Sequence, residues 1–461
     1  MKTNLILSAL GAVLLVLTGL AAAAKTAAVE TEAERQARMK WWTDARFGMF
    51  IHWGLYALPA RHEWVKNREK LTDEAYQKYF DHFDPDLFDP RAWARTAKQA
   101  GMKYFVVTSK HHEGFCLWDS RFTDYKVTKT PYGKDLLKPL VEAMRAEGLK
   151  VGFYYSLLDW HHPDYTVDRF HPMFGNLDFM ARAKGRDLSK YRAYLQDQVR
   201  ELLTSFGPID CLFLDYSFPG ENGKGRNDWQ SEKLLKMIRE LQPQVIVNDR
   251  LDLIDVPGGW DFRTPEQFMP RAWVEENGRR VPWETCQTFS GSWGYYRDEA
   301  SWKSVRQLVA MLIETVSKGG NLLLNVGPTA RGTFDDRALE RLAGIGDWMK
   351  FHDRSITGCT QAPDTFRTPQ NCFLTYNPAT RRLYVHVLEW PIGALHLDGF
   401  AGRVAYAQLL NDASEIGFAE SAAEIGFMPG ERGAAAGGTL TLRLPVAPPR
   451  VAVPVIELFL K

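Results

Sequence analysis

The 461-residue sequence predicts an α/β fold, a (β/α)8-like TIM barrel followed by a small C-terminal antiparallel β-sandwich. Three observations predict it. Eight short apolar runs between Phe47 and Val326 alternate, for the most part, with segments of helical spacing, as in a parallel α/β sheet. Several of these runs end in reactive residues: His52, His111 with His112, Asp215 and Arg250. The carboxyl ends of barrel strands share one mouth, so such residues would meet there although they are far apart in sequence. Beyond about residue 356 the texture changes to short alternating runs with Gly and Pro between them, the pattern of sandwich strands.

In chain order, Lys2, the apolar stretch Leu5 to Leu20 and the small residues Ala21 to Ala24 read as a signal peptide over residues 1–24. The mature chain is then expected to be exported, secreted or periplasmic, with no membrane contact after cleavage. A charged, Ala-rich linker leads through Trp41-Trp42 into the first run, Phe47 to Trp53. Further strands are expected at Tyr104 to Thr108, Val151 to Tyr155, Cys211 to Leu214, Val245 to Val247, Trp260 to Arg263, Thr285 to Phe289 and Leu322 to Val326. Helices are expected at Pro90 to Ala100, Asp135 to Leu149, Tyr191 to Phe206, Ser231 to Leu241, Trp302 to Val316 and Asp336 to Phe351. No helix separates the sixth and seventh strands, so the barrel is expected to be irregular there. The catalytic unit is placed at residues 25–355 and the sandwich at 356–461, with strands such as Arg382 to Val387, Val404 to Leu410 and Thr439 to Leu444. Gly433 to Gly438 reads as a hairpin loop.

Composition sets further bounds. With 45% apolar and 25% charged residues the chain can bury a large core, and a net charge of +1 gives nucleic acid or an acidic membrane no electrostatic foothold. Fifteen Trp and 17 Tyr suit a protein that stacks rings on sugar faces, although large cores also use them. The five cysteines form no CxxC or zinc-like spacing. Cys211 and Cys286 lie in apolar runs; Cys359 and Cys372 are either a bridge formed in an oxidising compartment or buried free thiols.

Clustered histidines near strand ends fit metal ligation, hydrogen bonding to a polar substrate, or burial. Metal ligation normally brings a His-x-His or His-Glu-x-x-His pattern, and neither is present, so no metal or other cofactor is expected. Glycoside hydrolysis needs two carboxyl groups, one to attack or activate water and one to protonate the leaving oxygen. Asp215 is the first, with Tyr216 able to hold it by a hydrogen bond and Arg250 able to keep it ionised. For the second, Glu266, Glu284 and Glu63 are the candidates, and spacing alone does not rank them.

The segments Phe47-Gly48-Met49-Phe50-Ile51-His52-Trp53-Gly54, Glu63-Trp64, Ser109-Lys110-His111-His112-Glu113-Gly114-Phe115 and Tyr154-Tyr155-Ser156 resemble signatures of the α-L-fucosidases of glycoside hydrolase family 29. So do Leu214-Asp215, Asn248-Asp249-Arg250, Trp293-Gly294-Tyr295 and Gly320 to Pro328, in matching order from about Trp41 to Arg331. The resemblance implies a retaining exo-glycosidase that removes terminal α-L-fucose from oligosaccharides or glycoconjugates, with Asp215 as nucleophile. By the same likeness His52, Glu63, Trp64, His111, His112, Tyr155 and Arg250 line the sugar pocket, and Trp293 offers an apolar wall with Trp64. The segment ending in Thr264-Pro265-Glu266 resembles the family's acid/base region, which favours Glu266 with Glu284 as runner-up. A carboxyl separation of roughly 5 to 5.5 Å would fit retention. Tyr154 and Tyr155 face opposite ways in a regular strand, so only one can reach the pocket. The competing readings are an α-L-galactosidase on the same fold, a non-catalytic fucose-binding protein and a metal-dependent hydrolase.

Overall fold

The computed structural model describes residues 30–420 and 438–461. The expected signal peptide, and all but the last residue of the hairpin loop expected at Gly433 to Gly438, lie outside the described residues. Seven parallel strands form one curled sheet: β1 Phe47–Ile51, β2 Tyr104–Lys110, β3 Lys150–Ser156, β4 Cys211–Asp215, β5 Ile246–Val247, β6 Glu284–Thr288 and β7 Asn321–Val326. Their spatial order is β5-β4-β3-β2-β1-β7-β6, so β5 and β6 are the two edges. The run expected as a sixth strand, Trp260 to Arg263, is not one. It makes single parallel bridges instead, Phe262 to Asn248 beyond one edge and Arg263 to Trp283 beside the other. The Asp261 carboxylate explains the shortfall, because it accepts the Val247 N–H at 2.7 Å where a strand would offer a carbonyl. Arg38 and Arg239 then fix that carboxylate, each at 2.6 Å.

The strands are buried on both faces, yet they keep a period of two. Phe50, Tyr154, Phe213, Cys286 and Leu323 share one apolar cluster inside the curl. Their neighbours Met49, Ile51, Phe153, Leu212, Leu214, Leu322 and Leu324 pack outward against the helices. Gly48 lies inside, where a Cβ would stand 2.4 Å from the Tyr104 ring; no larger residue fits at that level.

The segment expected as a linker is the helix α1, Glu32–Ala45. Its start carries a reciprocal cap: Thr31 accepts the Glu34 N–H and the Glu34 carboxylate accepts the Thr31 N–H at 2.8 Å. Met39, Trp42 and Ala45 on one face join the interior cluster. The other principal helices follow expectation to within a few residues: α2 Pro90–Gln99, α3 Leu137–Ala146, α4 Leu188–Ser205, α5 Ser231–Leu241, α6 Val305–Ser317 and α7 Asp336–His352. Pro90 starts α2 where its missing N–H costs nothing, and Asp89 caps the next two amides. Among the described residues no helix is long and apolar enough to cross a membrane.

Past α7 the chain forms a five-stranded and a three-stranded antiparallel sheet. Leu383, Val385, Ile456 and Leu458 of the first share one core with Leu395, Leu397, Leu440 and Leu442 of the second. All five cysteines are free and buried, so the bridge considered for Cys359 and Cys372 is not formed. The two thiols belong to different cores, Cys359 to the large one and Cys372 to that between the small sheets.

Candidate active site

The carboxyl ends of the parallel strands surround a cavity of about 180 Å³, on the scale of one sugar ring. Period two selects its walls: Phe50 and His52 follow one another on the inner face of β1 and beyond it, Tyr154 comes from β3, Phe213 and Asp215 from β4, and Cys286 from β6. Loops add His111, His112, Tyr216, Phe218, Arg250 and Glu266, and Trp64 and Trp293 complete the lining.

Asp215 is buried at the end of β4. Its Oδ1 accepts from Arg250 Nη1 at 2.7 Å and its Oδ2 accepts from the Tyr154 hydroxyl at 2.7 Å. The second Arg250 nitrogen, Nη2, pairs with Glu266 Oε2 at 2.8 Å. One guanidinium therefore holds both carboxylates over the cavity, and they are separated by no more than its width plus two hydrogen bonds. Arg250 is itself oriented by Thr264, whose hydroxyl accepts from Nε at 3.0 Å. Asp215 is tied down on both oxygens and buried; Glu266 is largely exposed, its side chain 42% accessible, at the rim. Two carboxyl groups in such unlike settings can take unlike roles.

The histidines present acceptors to the cavity. Asn325 donates through Nδ2 to the Trp293 carbonyl at 2.6 Å, which turns its Oδ1 toward His52 Nδ1, also at 2.6 Å. His52 Nδ1 must then carry the proton, leaving Nε2 as an acceptor. The Ser156 hydroxyl donates to the Leu158 carbonyl at 2.9 Å and so accepts from His112 Nδ1 at 2.7 Å, which leaves Nε2 as the acceptor there too. Burial holds all three imidazoles neutral: it pushes His111 down to about 3, against the raising effect of Asp215, and pushes His52 and His112 well below the usual range. Two neutral acceptors suit sugar hydroxyls.

Four expectations are corrected here. Tyr155 points outward: its hydroxyl donates to Gln198 at 2.8 Å and its ring lies under Lys110 Nζ, so Tyr154 takes the inner place. The Asp215 hydrogen bond expected from Tyr216 comes from Tyr154 instead. Tyr216 has φ of 78°, a left-handed conformation uncommon for a bulky residue, and its ring packs edge-on against His112 with centroids 4.7 Å apart. Glu63 is not among the wall residues. Its Oε2 accepts the N–H groups of Trp293 at 3.1 Å and Gly294 at 2.8 Å, so it anchors the loop that presents Trp293. Glu284 begins β6 at the opposite end of the sheet, fully buried, where the Tyr104 hydroxyl and Trp42 Nε1 both donate to its Oε2. The residues that sequence reasoning missed are Phe50, Phe213, Phe218 and Cys286, together with the bond from Tyr154; strand parity relative to His52 and Asp215 was the available signal for the first two.

The buried carboxyls and imidazoles set a pH dependence for stability. Burial pushes Glu63 up to about 7 and Glu113 and Glu284 up to about 8 from a usual 4.5. What these carboxyls contribute to stability is complete below 4.5 and is lost as pH rises through 7 to 8. The depressed histidines contribute fully above 6.5, and that is lost as pH falls toward their folded values. Between 4.5 and 6.5 the two trends oppose one another; above 6.5 the carboxyls dominate, at no more than roughly 1.4 kcal/mol per group per pH unit and less as pH passes each folded value. The thermal midpoint is therefore expected to be higher at pH 6 than at pH 8, by calorimetry. A midpoint that climbs from pH 6 to 8 contradicts the assignment of these groups as neutral in the fold.

The α-L-fucosidase family model matches residues 15–354. An α-L-fucosidase of Dictyostelium discoideum is 29% identical over 452 residues, 91% of each chain. Among solved structures, α-L-fucosidase isoenzyme 1 from Paenibacillus thiaminolyticus superposes with a TM-score of 0.85 at 44% identity, covering 93% of this chain and 99% of that one. A family 29 α-L-fucosidase from Bacteroides thetaiotaomicron, solved as a trapped covalent intermediate with 2-fluoro-fucosyl fluoride, gives 0.78 at 28% identity, with coverage of 92% and 96%.

Proposed function

The chain belongs to the α-L-fucosidase family, glycoside hydrolases of family 29, and from that we propose that it hydrolyses terminal α-L-fucosides with retention of configuration. The observation that carries the proposal is the single Arg250 guanidinium bound to Asp215 and Glu266 above a cavity sized for one sugar. In the first step an Asp215 oxygen attacks the anomeric carbon, the bond to the leaving oxygen breaks, and the Glu266 proton moves to that oxygen. In the second, Glu266 as carboxylate takes a proton from water, the water oxygen attacks the anomeric carbon, and Asp215 leaves. Tyr154 and Arg250 hold the Asp215 oxygens in place through both steps. His52 and His112 accept from sugar hydroxyls through their Nε2 atoms, and the rings of Phe50, Trp64, Phe213 and Trp293 favour the C6 methyl of fucose over the hydroxymethyl of L-galactose.

The covalent intermediate captured for the Bacteroides thetaiotaomicron relative supports retention. In the same proposal the curled sheet, with its Phe262 and Arg263 bridges, is read as a (β/α)8-like barrel over residues 25–355, the two antiparallel sheets as a sandwich over 356–461, and residues 1–24 as a signal that directs export. The test is hydrolysis of 4-nitrophenyl α-L-fucoside followed by proton NMR. The expected first-formed sugar is the α-anomer, with the matching α-L-galactoside cut more slowly. Release of the β-anomer would remove Asp215 as nucleophile, and no release at all would remove the activity.

A further inference from the structure

We propose that the groove beside the sugar cavity is an aglycone subsite that holds a ring-shaped leaving group, a second sugar unit in the natural substrate, by its apolar face rather than by hydrogen bonds. The inference rests on the α-L-fucosidase reading above. The groove, about 740 Å³, opens directly off the sugar cavity, since Phe218, Arg250 and Glu266 line both. Glu266 protonates the leaving oxygen in that reading, so whatever the oxygen carries lies on the groove side of Glu266.

Three large apolar side chains on the groove wall stand open to solvent, Phe218 at 45%, Ile254 at 47% and Phe268 at 58% exposure. Exposed apolar side chains gathered along one groove mark a contact surface. The charged groups of the groove are already engaged with one another or with the surrounding chain. Asp249 pairs with Arg263 at 3.2 Å and accepts from the Thr264 hydroxyl; Arg263 also pairs with Glu276 at 3.1 Å. Asp252 accepts the Arg226 N–H at 2.9 Å. The Ser217 hydroxyl and Arg263 Nη1 lack hydrogen-bond partners but are themselves buried, so apolar contact is what these walls chiefly present. The Phe268 ring is held out by its own backbone, whose carbonyl accepts from Thr285 Oγ1 at 3.1 Å and from Gln287 Nε2 at 3.2 Å. A flat ring laid on Phe268 and Ile254 covers surface that is otherwise wet.

The test compares kcat/KM of the full chain with that of a Phe268→Ala, Ile254→Ser double variant. This parameter reports only the steps through departure of the leaving group. Three substrates are used: α-L-fucosyl fluoride, 4-nitrophenyl α-L-fucoside and a fucosyl disaccharide. Both changes are at exposed positions, and a thermal midpoint close to the parent's confirms an intact fold. Losing one aromatic and one aliphatic contact is expected to lower kcat/KM about 5- to 10-fold on the aryl fucoside and the disaccharide. The fluoride, whose leaving group is a single atom, is expected to be unaffected. Equal loss on all three substrates, or loss on none, overturns the subsite; loss on the aryl fucoside alone overturns the assignment to a second sugar. If the parent chain fails on the fluoride as well, the fucosidase reading falls and this inference with it.

Discussion

Replacing Asp215 with alanine is expected to lower kcat by about 10⁴-fold or more, the scale on which covalent enzymes lose rate when the nucleophile is removed. The step has no substitute attacker: the other groups nearest the Asp215 oxygens are Arg250 Nη1, which is cationic, and the Tyr154 hydroxyl, which burial holds protonated. Deleting one partner of a buried ion pair also destabilises a fold, typically by about 3–5 kcal/mol. Part of that is recovered here, since Arg250 keeps its contact with Glu266. An Asp215→Asn variant separates the two effects: the amide oxygen can still accept a hydrogen bond but is a poor nucleophile, so turnover stays low while the thermal midpoint returns toward the parent's. Fucose binding by calorimetry should remain measurable in both. Azide added to Asp215→Ala occupies the vacated space and attacks the anomeric carbon from that side, so β-L-fucosyl azide is the expected product. Turnover within tenfold of the parent for either variant sinks the assignment.

The sequence carried much of this site, for identifiable physical reasons. His52 and Asp215 could be placed because an apolar run with a polar terminal residue has a direction, and in a parallel sheet that direction fixes which end the residue occupies. Applied consistently, the same rule disposes of Glu284: it stands immediately before the run Thr285 to Phe289 and so falls at the starting end of β6, away from the mouth. Parity explains the exchange of Tyr155 for Tyr154. Adjacent strand residues face opposite ways, but the phase of β3 relative to its neighbours depends on registers such as Ser156 opposite Asp215, which no local pattern encodes. Glu63 shows the other limit, since its partners at Trp293 and Gly294 lie 230 and 231 positions away. Helix α1 is legible in the sequence. Thr31 and Glu34 form the reciprocal capping pattern, but an Ala-rich, charged segment ahead of the first strand reads as a linker when composition is weighed above its cap.

Glu266→Gln is the second large effect, and it separates the two glutamates. Loss of a general acid costs about 10²- to 10⁴-fold, depending on how much proton donation the leaving group needs. The deficit is expected to be greatest on a fucosyl disaccharide, whose alkoxide leaves poorly, and smallest for the first step on an aryl fucoside. Azide restores turnover in this variant by a different route: it attacks the covalent intermediate in place of activated water, so the product is α-L-fucosyl azide, opposite in configuration to the Asp215→Ala product. Glu284→Gln is the matched comparison. Burial pushes that carboxyl up to about 8, so it is protonated at neutral pH, and the amide oxygen can accept from Tyr104 and Trp42 as the carboxyl oxygen does. Its turnover should stay within a few-fold of the parent's on every substrate. The reverse pattern, with Glu284→Gln losing the disaccharide and Glu266→Gln sparing it, would require the acid to act from the far end of the sheet, which the position of Glu284 at the start of β6 does not allow without a different fold.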